Sequence, residues 1–265
     1  MKKVIIILSP AKTLDYDSSI PYKFESKAPF FMQEAEILVE VLRRKSLSDI
    51  ASLMSLSDKL AALNVERFQG WSHLQGDHAL LRACIYAYKG DVYEGLRIED
   101  FSEEDLYFAD KKIRILSGLY GLLRPLDQIY PYRLEMSTAL ATNKGQHLYD
   151  FWGEKIVEKL NADFAQSESK ETVLLNLASN EYFSAINYPS LKAQVIQPVF
   201  KDYKNGQYKV ISFFAKKARG LMATYIVKNR IQNVDEVKEF NSAGYCFNHA
   251  LSDQAQWVFT RKSAE

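Results

Sequence analysis

Residues that build covalent or metal-based frameworks are scarce in this sequence. Its 265 residues include two cysteines, Cys84 and Cys246, which are far apart and have no CxxC spacing. Isolated thiols of this kind are typical of a reducing compartment rather than of a disulfide framework or a zinc site. The four histidines show no HExxH or other ligand spacing, and they are His73, His78, His147 and His249. The sequence therefore predicts no metal and no cofactor.

Long apolar runs are also absent. The run that opens the chain, Val4 to Leu8, has five residues, whereas a membrane span needs about 20 and the core of a signal peptide about 7 to 15. We therefore expect a soluble, cytoplasmic protein that has no membrane partner.

The sequence also has no excess of one charge, because it contains 34 basic and 33 acidic residues. Any polyanion partner must therefore be argued from where the charges lie.

The chain lacks stretches rich in Pro, Gly or Ser, so we predict one compact domain over residues 1–265. Three short runs rich in Ile, Val and Leu each lead into small and polar residues, at 4–13, 113–125 and 173–183. Such runs indicate strands buried on both faces, as in a mainly parallel sheet, with crossover helices between them. The predicted fold class is α/β (mixed α+β), with a central mixed sheet and flanking helices.

Helical and hairpin patterns fill the segments between these runs. Asn205-Gly206, between two β-prone arms at 195–214, is the strongest short signal for a hairpin, and Pro198 suggests an edge or irregular strand in the first arm. Ser102 with Asp105 indicates the start of a solvated helix rich in acids. Further helices are predicted at 28–45, 47–71, 77–90 and 215–231.

Polar residues follow each of the three predicted strands, and in open α/β sheets ligands bind beyond the carboxyl ends of the strands. The apolar stretch 116–136 contains two arginines and two acids, and the arginines could bind an oxyanion that the acids help to orient. Structural ion pairs, such as Arg124 with Asp127, are the alternative. If the loops share one cleft, its candidate catalytic residues are Lys12, Arg124, Tyr132, Arg133, Glu135 and Glu181. No pattern among them fixes a reaction.

A basic segment covers residues 192–230, where nine basic residues accompany one acid, Asp202. Lys216, Lys217 and Arg219 fall in the first turns of the predicted helix, where cations oppose the helix dipole. An anion bound there would remove the conflict, because backbone N–H groups and basic side chains would both serve it. We interpret these three residues as a phosphate-binding group, and a merely solubilising face is the alternative.

A second phosphate-binding candidate is the stretch LMSLSDKLA at 53–61. Its apolar spacing is similar to that of helix-hairpin-helix DNA-binding modules, although Ser55 and Ser57 replace the two glycines of that motif. Ser57 could cap the second helix and place Lys59 near a phosphate. We predict a helix-hairpin-helix-like element over residues 46–70, and an αα-hairpin with no DNA role is the alternative.

Seven segments, in order along nearly the whole chain, resemble the YaaA peroxide stress response protein family. They are SPAKT (9–13), KGDVYEGL (89–96), LSGLYGLLRPLDQIYPYRLEM (116–136), LYDFWG (148–153), NLASNEYF (176–183), FFAKKARGLMATYIV (213–227) and GYCF (244–247). The resemblance implies a cytoplasmic bacterial protein of the hydrogen peroxide response that limits damage linked to free iron. It also implies an unusual α/β fold with a basic cleft, a helix-hairpin-helix element and binding to double-stranded DNA.

Two hypotheses for the function follow. The first is a stress protein that binds double-stranded DNA through phosphate contacts, made by residues 53–61 and the basic segment. The second is an enzyme that acts on a phosphorylated or nucleotide-like small molecule in a cleft built from the strand-end loops. No ligand cluster in the sequence supports direct binding of iron. Oligomeric state cannot be read from these patterns.

Overall fold

The chain is organised around a central mixed sheet. The structure is a computed structural model, and it describes residues 3–72, 80–166, 169 and 171–262. Its strands are β1 (Lys3–Leu8), β2 (Thr13–Leu14), β3 (Arg82–Ala83), β4 (Tyr88–Lys89), β5 (Ile113–Ser117), β6 (Gly121–Leu123), β7 (Gln128–Ile129), β8 (Thr172–Asn176), β9 (Gln194–Lys204), β10 (Gln207–Lys209), β11 (Cys246–Phe247) and β12 (Gln256–Arg261). Within the described ranges, eight of them form the central sheet in the order β11-β12-β9-β8-β1-β5-β6, with β10 paired to β9.

Parallel pairing dominates the middle of this sheet. Strand β1 is parallel to both neighbours, so that Ile6 lies opposite Ile113 of β5 and Leu175 of β8. Side chains from Ile5 to Leu8 are at most 1% exposed, so both faces of β1 are buried, as is usual for the inner strands of a parallel sheet. Antiparallel pairs, β5 with β6, β9 with β10 and β11 with β12, make the sheet mixed. The predicted α/β fold with a central mixed sheet is confirmed.

Helices flank the sheet and connect its strands. They are α1 (Met32–Arg43), α2 (Leu47–Met54), α3 (Asp58–Gly70), α4 (Cys84–Ala87), α5 (Asp91–Leu96), α6 (Glu103–Lys112), α7 (Leu148–Trp152), α8 (Lys155–Ala165), α9 (Asn180–Phe183) and α10 (Ser212–Lys228). Short 3-10 turns lie at Ile98–Asp100, Tyr188–Ser190, Val234–Glu239, Ser242–Gly244 and His249–Leu251. The predicted helices at 28–45 and 215–231 correspond to α1 and α10. The Ser102 start is also confirmed, since Ser102 and Asp105 form a reciprocal capping box at α6.

Two of the predicted helices differ in the structure. The segment 47–71 contains two helices joined by a turn, the arrangement also predicted for residues 46–70, because Ser55 adopts a left-handed conformation (φ 51°) that ends α2 before Ser57 begins α3. The predicted helix at 77–90 shrinks to the four residues of α4 in its described part, and residues 77–79 lie outside the described ranges. Its flanks are extended instead, because β3 pairs with β7 and β4 pairs with β2. Tertiary pairing overrides the local helical pattern there.

The Asn205-Gly206 hairpin is confirmed. Both turn residues have positive φ (53° and 79°), as a two-residue turn of this kind requires, and they join β9 to β10. Pro198 does not mark an edge strand, because β9 lies between β8 and β12. Gln197 donates its N–H to the Ala255 carbonyl beside β12 (2.7 Å), so the nitrogen of the next residue, Pro198, faces the β8 side of the strand. Pairing of β9 with β8 ends at Ile196, before Pro198. The missing N–H therefore costs no ladder hydrogen bond.

Helices α5 and α10 cross at two glycines. A Cβ atom on Gly220 would lie 1.9 Å from the Val92 carbonyl oxygen, and one on Gly95 would lie 2.1 Å from the Lys217 carbonyl oxygen. No side chain larger than hydrogen fits at either position without moving a backbone. This close crossing fixes the first half of α10 against the loop that begins α5.

Candidate anion-binding site

A pocket opens where the carboxyl ends of β1 and β8 meet the first half of α10. Its volume is about 380 Å³. Three segments line it, together with Lys216 and Arg219: the residues after β1 (Ser9 to Thr13), the junction of β4 and α5 (Lys89 to Tyr93), and Ser179, Glu181 and Tyr182 after β8. We call it the strand-end pocket. Its position follows the rule that ligand sites of parallel sheets lie beyond the carboxyl ends of the strands.

Hydrogen bonds tie the two strand ends together beneath the strand-end pocket. Ser179 donates its N–H to Ser9 Oγ (2.9 Å), and Leu177 donates its N–H to the Ile7 carbonyl (3.0 Å). Tyr93 of α5 donates its hydroxyl to the Ser9 carbonyl (3.1 Å). The loops after β1 and β8 are therefore held in register with α5, and the floor of the pocket is preorganised.

Four of the six candidate catalytic residues lie together at this edge of the sheet. Glu135 Oε1 lies 3.1 Å from Lys12 Nζ and 3.1 Å from Arg133 Nη2. Glu181 accepts hydrogen bonds from the N–H and hydroxyl of Ser137 (3.2 and 2.9 Å), which anchors the third loop. Lys12 is 66% exposed, so it can leave Glu135 for an incoming anion at little cost.

Arg124 does not join them, and its predicted place in a shared cleft was wrong. It pairs with the buried Asp127 (2.7 Å) and donates to the Ala28 carbonyl (2.9 Å). Together with Lys3 and Asp163 it lines a different cavity, at the amino end of β1. The reason is β6, which is antiparallel to β5 and carries the chain back across the sheet before residue 124.

Tyr132 lies behind the strand-end pocket rather than in its wall. Its hydroxyl is hydrogen-bonded to Ser117 Oγ (2.6 Å) and to the Tyr88 hydroxyl (2.7 Å), and the side chain is 5% exposed. Burial raises the pKa of Tyr132 above its ordinary value, so the hydroxyl stays protonated at neutral pH. Its hydrogen bonds therefore connect β5 to β4 behind the strand-end pocket.

The basic segment divides into two parts with different partners. Arg219 is half-buried in the strand-end pocket, burial lowers its pKa, and no described residue offers it a hydrogen bond or a carboxylate. Lys216 lies 3.7 Å from Asp91, which also lines the pocket, and Lys217 is exposed beside it. At the other end, Lys228 and Arg230 both form an ion pair with Asp105 (2.7 and 2.6 Å).

The second phosphate-binding candidate lies at the turn between α2 and α3. Ser55, Ser57 and Lys59 are exposed there, and Ser57 occupies the N-cap position of α3 without a side-chain capping bond. The first N–H groups of α3 have no intrahelical acceptor, as at any helix start. Two helices joined by a three-residue turn are therefore present, with Ser in place of Gly.

No group of three or more His, Cys, Asp or Glu side chains in the described ranges has the geometry of a metal site. His73 and His78 lie outside those ranges. The same ranges contain no helix long and apolar enough to cross a membrane.

Several pocket residues were missed as site candidates, chiefly Lys89, Asp91 and the pair Ser9 and Ser179. Lys89 and Asp91 flank Gly90, whose φ of 153° lies in a region that favours glycine. The signal was the glycine between two charges, which indicates a tight turn that presents both side chains. Their distance in sequence from the other loops hid the connection.

An α/β protein with a basic pocket at the carboxyl edge of its sheet is thus defined. The chain belongs to the peroxide stress protein YaaA family, whose model matches residues 4–251. It is 50% identical over 259 residues to a UPF0246 protein of Teredinibacter turnerae, covering 98% of this chain and all of that protein. Similar UPF0246 proteins occur in Colwellia psychrerythraea (50% over 262 residues) and Saccharophagus degradans (51% over 259 residues), with the same coverage of both chains. Family membership supports a role in the response to peroxide stress.

Proposed function

We propose that the protein acts in the peroxide stress response by binding double-stranded DNA through its phosphates. The strand-end pocket would hold one phosphate, and the α2–α3 turn offers donors for another. Such binding is largely independent of sequence, because phosphate contacts position a protein on DNA without reading bases.

The observation that carries the proposal is the unpaired guanidinium of Arg219. A half-buried arginine normally has a carboxylate or several carbonyl oxygens as partners, because an unsatisfied buried charge is costly. Arg219 has none among the described residues, and Lys12, Lys89 and Lys216 share its pocket. Among the residues that line the pocket, these four cations outnumber the two acids, Asp91 and Glu181. A phosphate oxygen would supply what Arg219 lacks.

Phosphate binding also offers a route to limiting damage linked to iron. Each lysine or arginine that neutralises a DNA phosphate releases the cations condensed there. Iron(II) held at those phosphates would be displaced in the same way, and peroxide would then meet less iron at the DNA surface. The protein needs no iron site of its own for this effect.

Replacement of Arg219 by Gln tests the proposal. We expect R219Q to weaken binding to duplex DNA by about tenfold, since a hydrogen bond to a charged group contributes about 1.5 kcal/mol. Fluorescence anisotropy of a labelled duplex at one fixed salt concentration measures the change. Lys23→Gln is the matched control, because Lys23 is an exposed lysine outside the pocket. Equal affinity of R219Q and wild type for duplex DNA would count against the proposal.

A second candidate function is an enzyme that acts on a phosphorylated or nucleotide-like small molecule. The concave shape of the strand-end pocket favours it, because about 380 Å³ suits a small ligand. Glu181 and Glu135 would be the acid/base groups, beside the cations Lys12 and Arg133. Nucleoside monophosphates added to the duplex-binding assay separate the two functions. Tight displacement of DNA that depends on Arg219 favours the small-molecule site, and displacement equal to that of simple salt favours DNA.

A further inference from the structure

The hairpin of β9 and β10 carries two tyrosines on its solvent side. Tyr203 and Tyr208 lie directly opposite each other in the antiparallel ladder, with ring centroids 5.2 Å apart. Tyr203 is 42% exposed, although large aromatic side chains are usually buried. We call this pair the tyrosine platform.

Two lysines lie beside the tyrosine platform, and the hairpin itself contains one acid. Lys262 Nζ lies 5.5 Å from the centroid of the Tyr203 ring. Lys201 lies two residues before Tyr203 in β9 and therefore on the same face of the strand. The single acid of the hairpin, Asp202, points to the opposite face. There it is buried, accepts a hydrogen bond from the Tyr245 hydroxyl (2.8 Å) and pairs with Arg261. The solvent face of the hairpin therefore combines two aromatic rings with lysines, and the acid of the hairpin lies on the other face.

Aromatic rings interleaved with lysines match the chemistry of single-stranded nucleic acid. Unpaired bases stack on aromatic side chains, and lysines beside the rings neutralise the phosphates that follow each base. Duplex DNA does not expose its base faces, so the rings would add nothing to binding of an intact duplex. This inference rests on the proposed nucleic-acid-binding function and extends it to residues that do not line the strand-end pocket. We propose that the tyrosine platform stacks unpaired bases of single-stranded nucleic acid, with Lys201 and Lys262 on the adjacent phosphates.

The experiment must separate stacking from folding, because a cross-strand aromatic pair also stabilises a hairpin by about 0.2–1 kcal/mol. Tyr203→Ile and Tyr208→Ile keep a strand-favouring apolar side chain but remove the aromatic face. Tyr203→Phe keeps the face and removes only the hydroxyl. Tyr188→Ile is the matched control, since Tyr188 is 56% exposed and lies outside the hairpin. Thermal unfolding of each variant checks that the fold is retained.

Anisotropy of a labelled oligothymidylate gives the main readout. We expect each Ile variant to weaken binding about fivefold, the lower end for loss of one stacked base. Tyr203→Phe and Tyr188→Ile should bind as wild type does. An abasic oligonucleotide of equal length has the same phosphates without bases, so it should bind the wild type more weakly than oligothymidylate. Equal binding of the two oligonucleotides, or unchanged binding by the Ile variants, overturns the proposal.

Two further arms identify the partner. Vesicles containing phosphatidylserine present anionic headgroups without bases, and binding that the Ile variants lose for vesicles but not for oligothymidylate would assign the platform to a membrane surface instead. Duplex DNA tested with R219Q distinguishes failure of the proposed function from failure of this inference. If duplex binding is absent but oligothymidylate binding depends on Tyr203, the platform stands and the duplex proposal falls. If duplex binding depends on Arg219 while the Ile variants bind oligothymidylate normally, only the platform falls.

Discussion

Arg124 serves the fold at the scale of single residues. Asp127 is fully buried, and burial raises its pKa to about 6 although hydrogen bonds from Arg124 act in the opposite direction. Removing one partner of a buried ion pair costs about 3–5 kcal/mol. We expect Arg124→Gln to lower the free energy of unfolding by somewhat less, about 2–4 kcal/mol, because Arg124 is 26% exposed. Urea unfolding measures the loss, and duplex DNA affinity of the folded variant should not change.

The pH dependence of this loss gives its control. The pKa of Asp127 in the folded protein, about 6, lies above the value in the unfolded chain of about 3.9. Between these two pH values the folded state holds a proton on Asp127 that the unfolded state has released. The free energy of unfolding therefore falls as pH rises through this window, up to the folded pKa. Without Arg124 that pKa rises further, so the destabilisation of R124Q should shrink below about pH 6. An equal loss on both sides of that pH contradicts this account.

The sequence predicted which residues are special better than where they lie. Lys12, Arg133, Glu135 and Glu181 were expected to share a site, and their loops do meet. Arg124 looked equivalent to Arg133 because both follow the same apolar strand. The two arginines are separated because β6 runs antiparallel to β5 and carries Arg124 towards the opposite edge of the sheet. A strand of three residues is too short for its hydrophobic periodicity to predict this reversal.

At the scale of elements, the crossing of α5 and α10 controls the position of the basic residues. Gly220→Ala would place a Cβ 1.9 Å from the Val92 carbonyl oxygen and force α10 away from α5. We expect a loss of about 1–3 kcal/mol in the free energy of unfolding, as for other overpacked sites, and weaker duplex binding as Lys216 and Arg219 move. Gly70→Ala in α3 is the matched control, because nothing lies within 4 Å of its added Cβ. A G220A variant as stable as G70A would contradict the crossing.

Elements with a strong local signal were predictable, and those held by tertiary pairing were not. The capping box at Ser102, the Asn205-Gly206 turn and the buried run of β1 each carry their structure in a few neighbouring residues. The segment 77–90 was predicted to be a helix from its local helical pattern. In the fold its residues 82–83 pair with β7 and its residues 88–89 pair with β2, and both partners lie far away in sequence. Local propensity is a weak prior wherever such partners compete.

At the scale of the whole molecule, the two ends of the basic segment 192–230 have different partners, although the chain as a whole is nearly neutral. Acids of residues 91–110 meet the far end of the basic segment, where Asp105 takes up Lys228 and Arg230. The near end keeps Lys216, Lys217 and Arg219 for the strand-end pocket and its rim. A net charge of +1 therefore coexists with a local group of cations at the strand-end pocket, and such a group can attract a polyanion.

This difference between the two ends predicts which cations set the salt dependence of DNA binding. For duplex DNA, the slope of log affinity against log salt changes by about 0.9 for each phosphate that a cation neutralises. We expect Lys216→Gln and Arg219→Gln each to reduce the slope by about one. Lys228→Gln should leave it unchanged, because Lys228 belongs to the same basic segment but its charge is held by Asp105 (2.7 Å). Anisotropy titrations over a range of salt concentrations measure all three slopes. An equal reduction in all three would mean that DNA responds to total charge, and not to cations placed at the strand-end pocket.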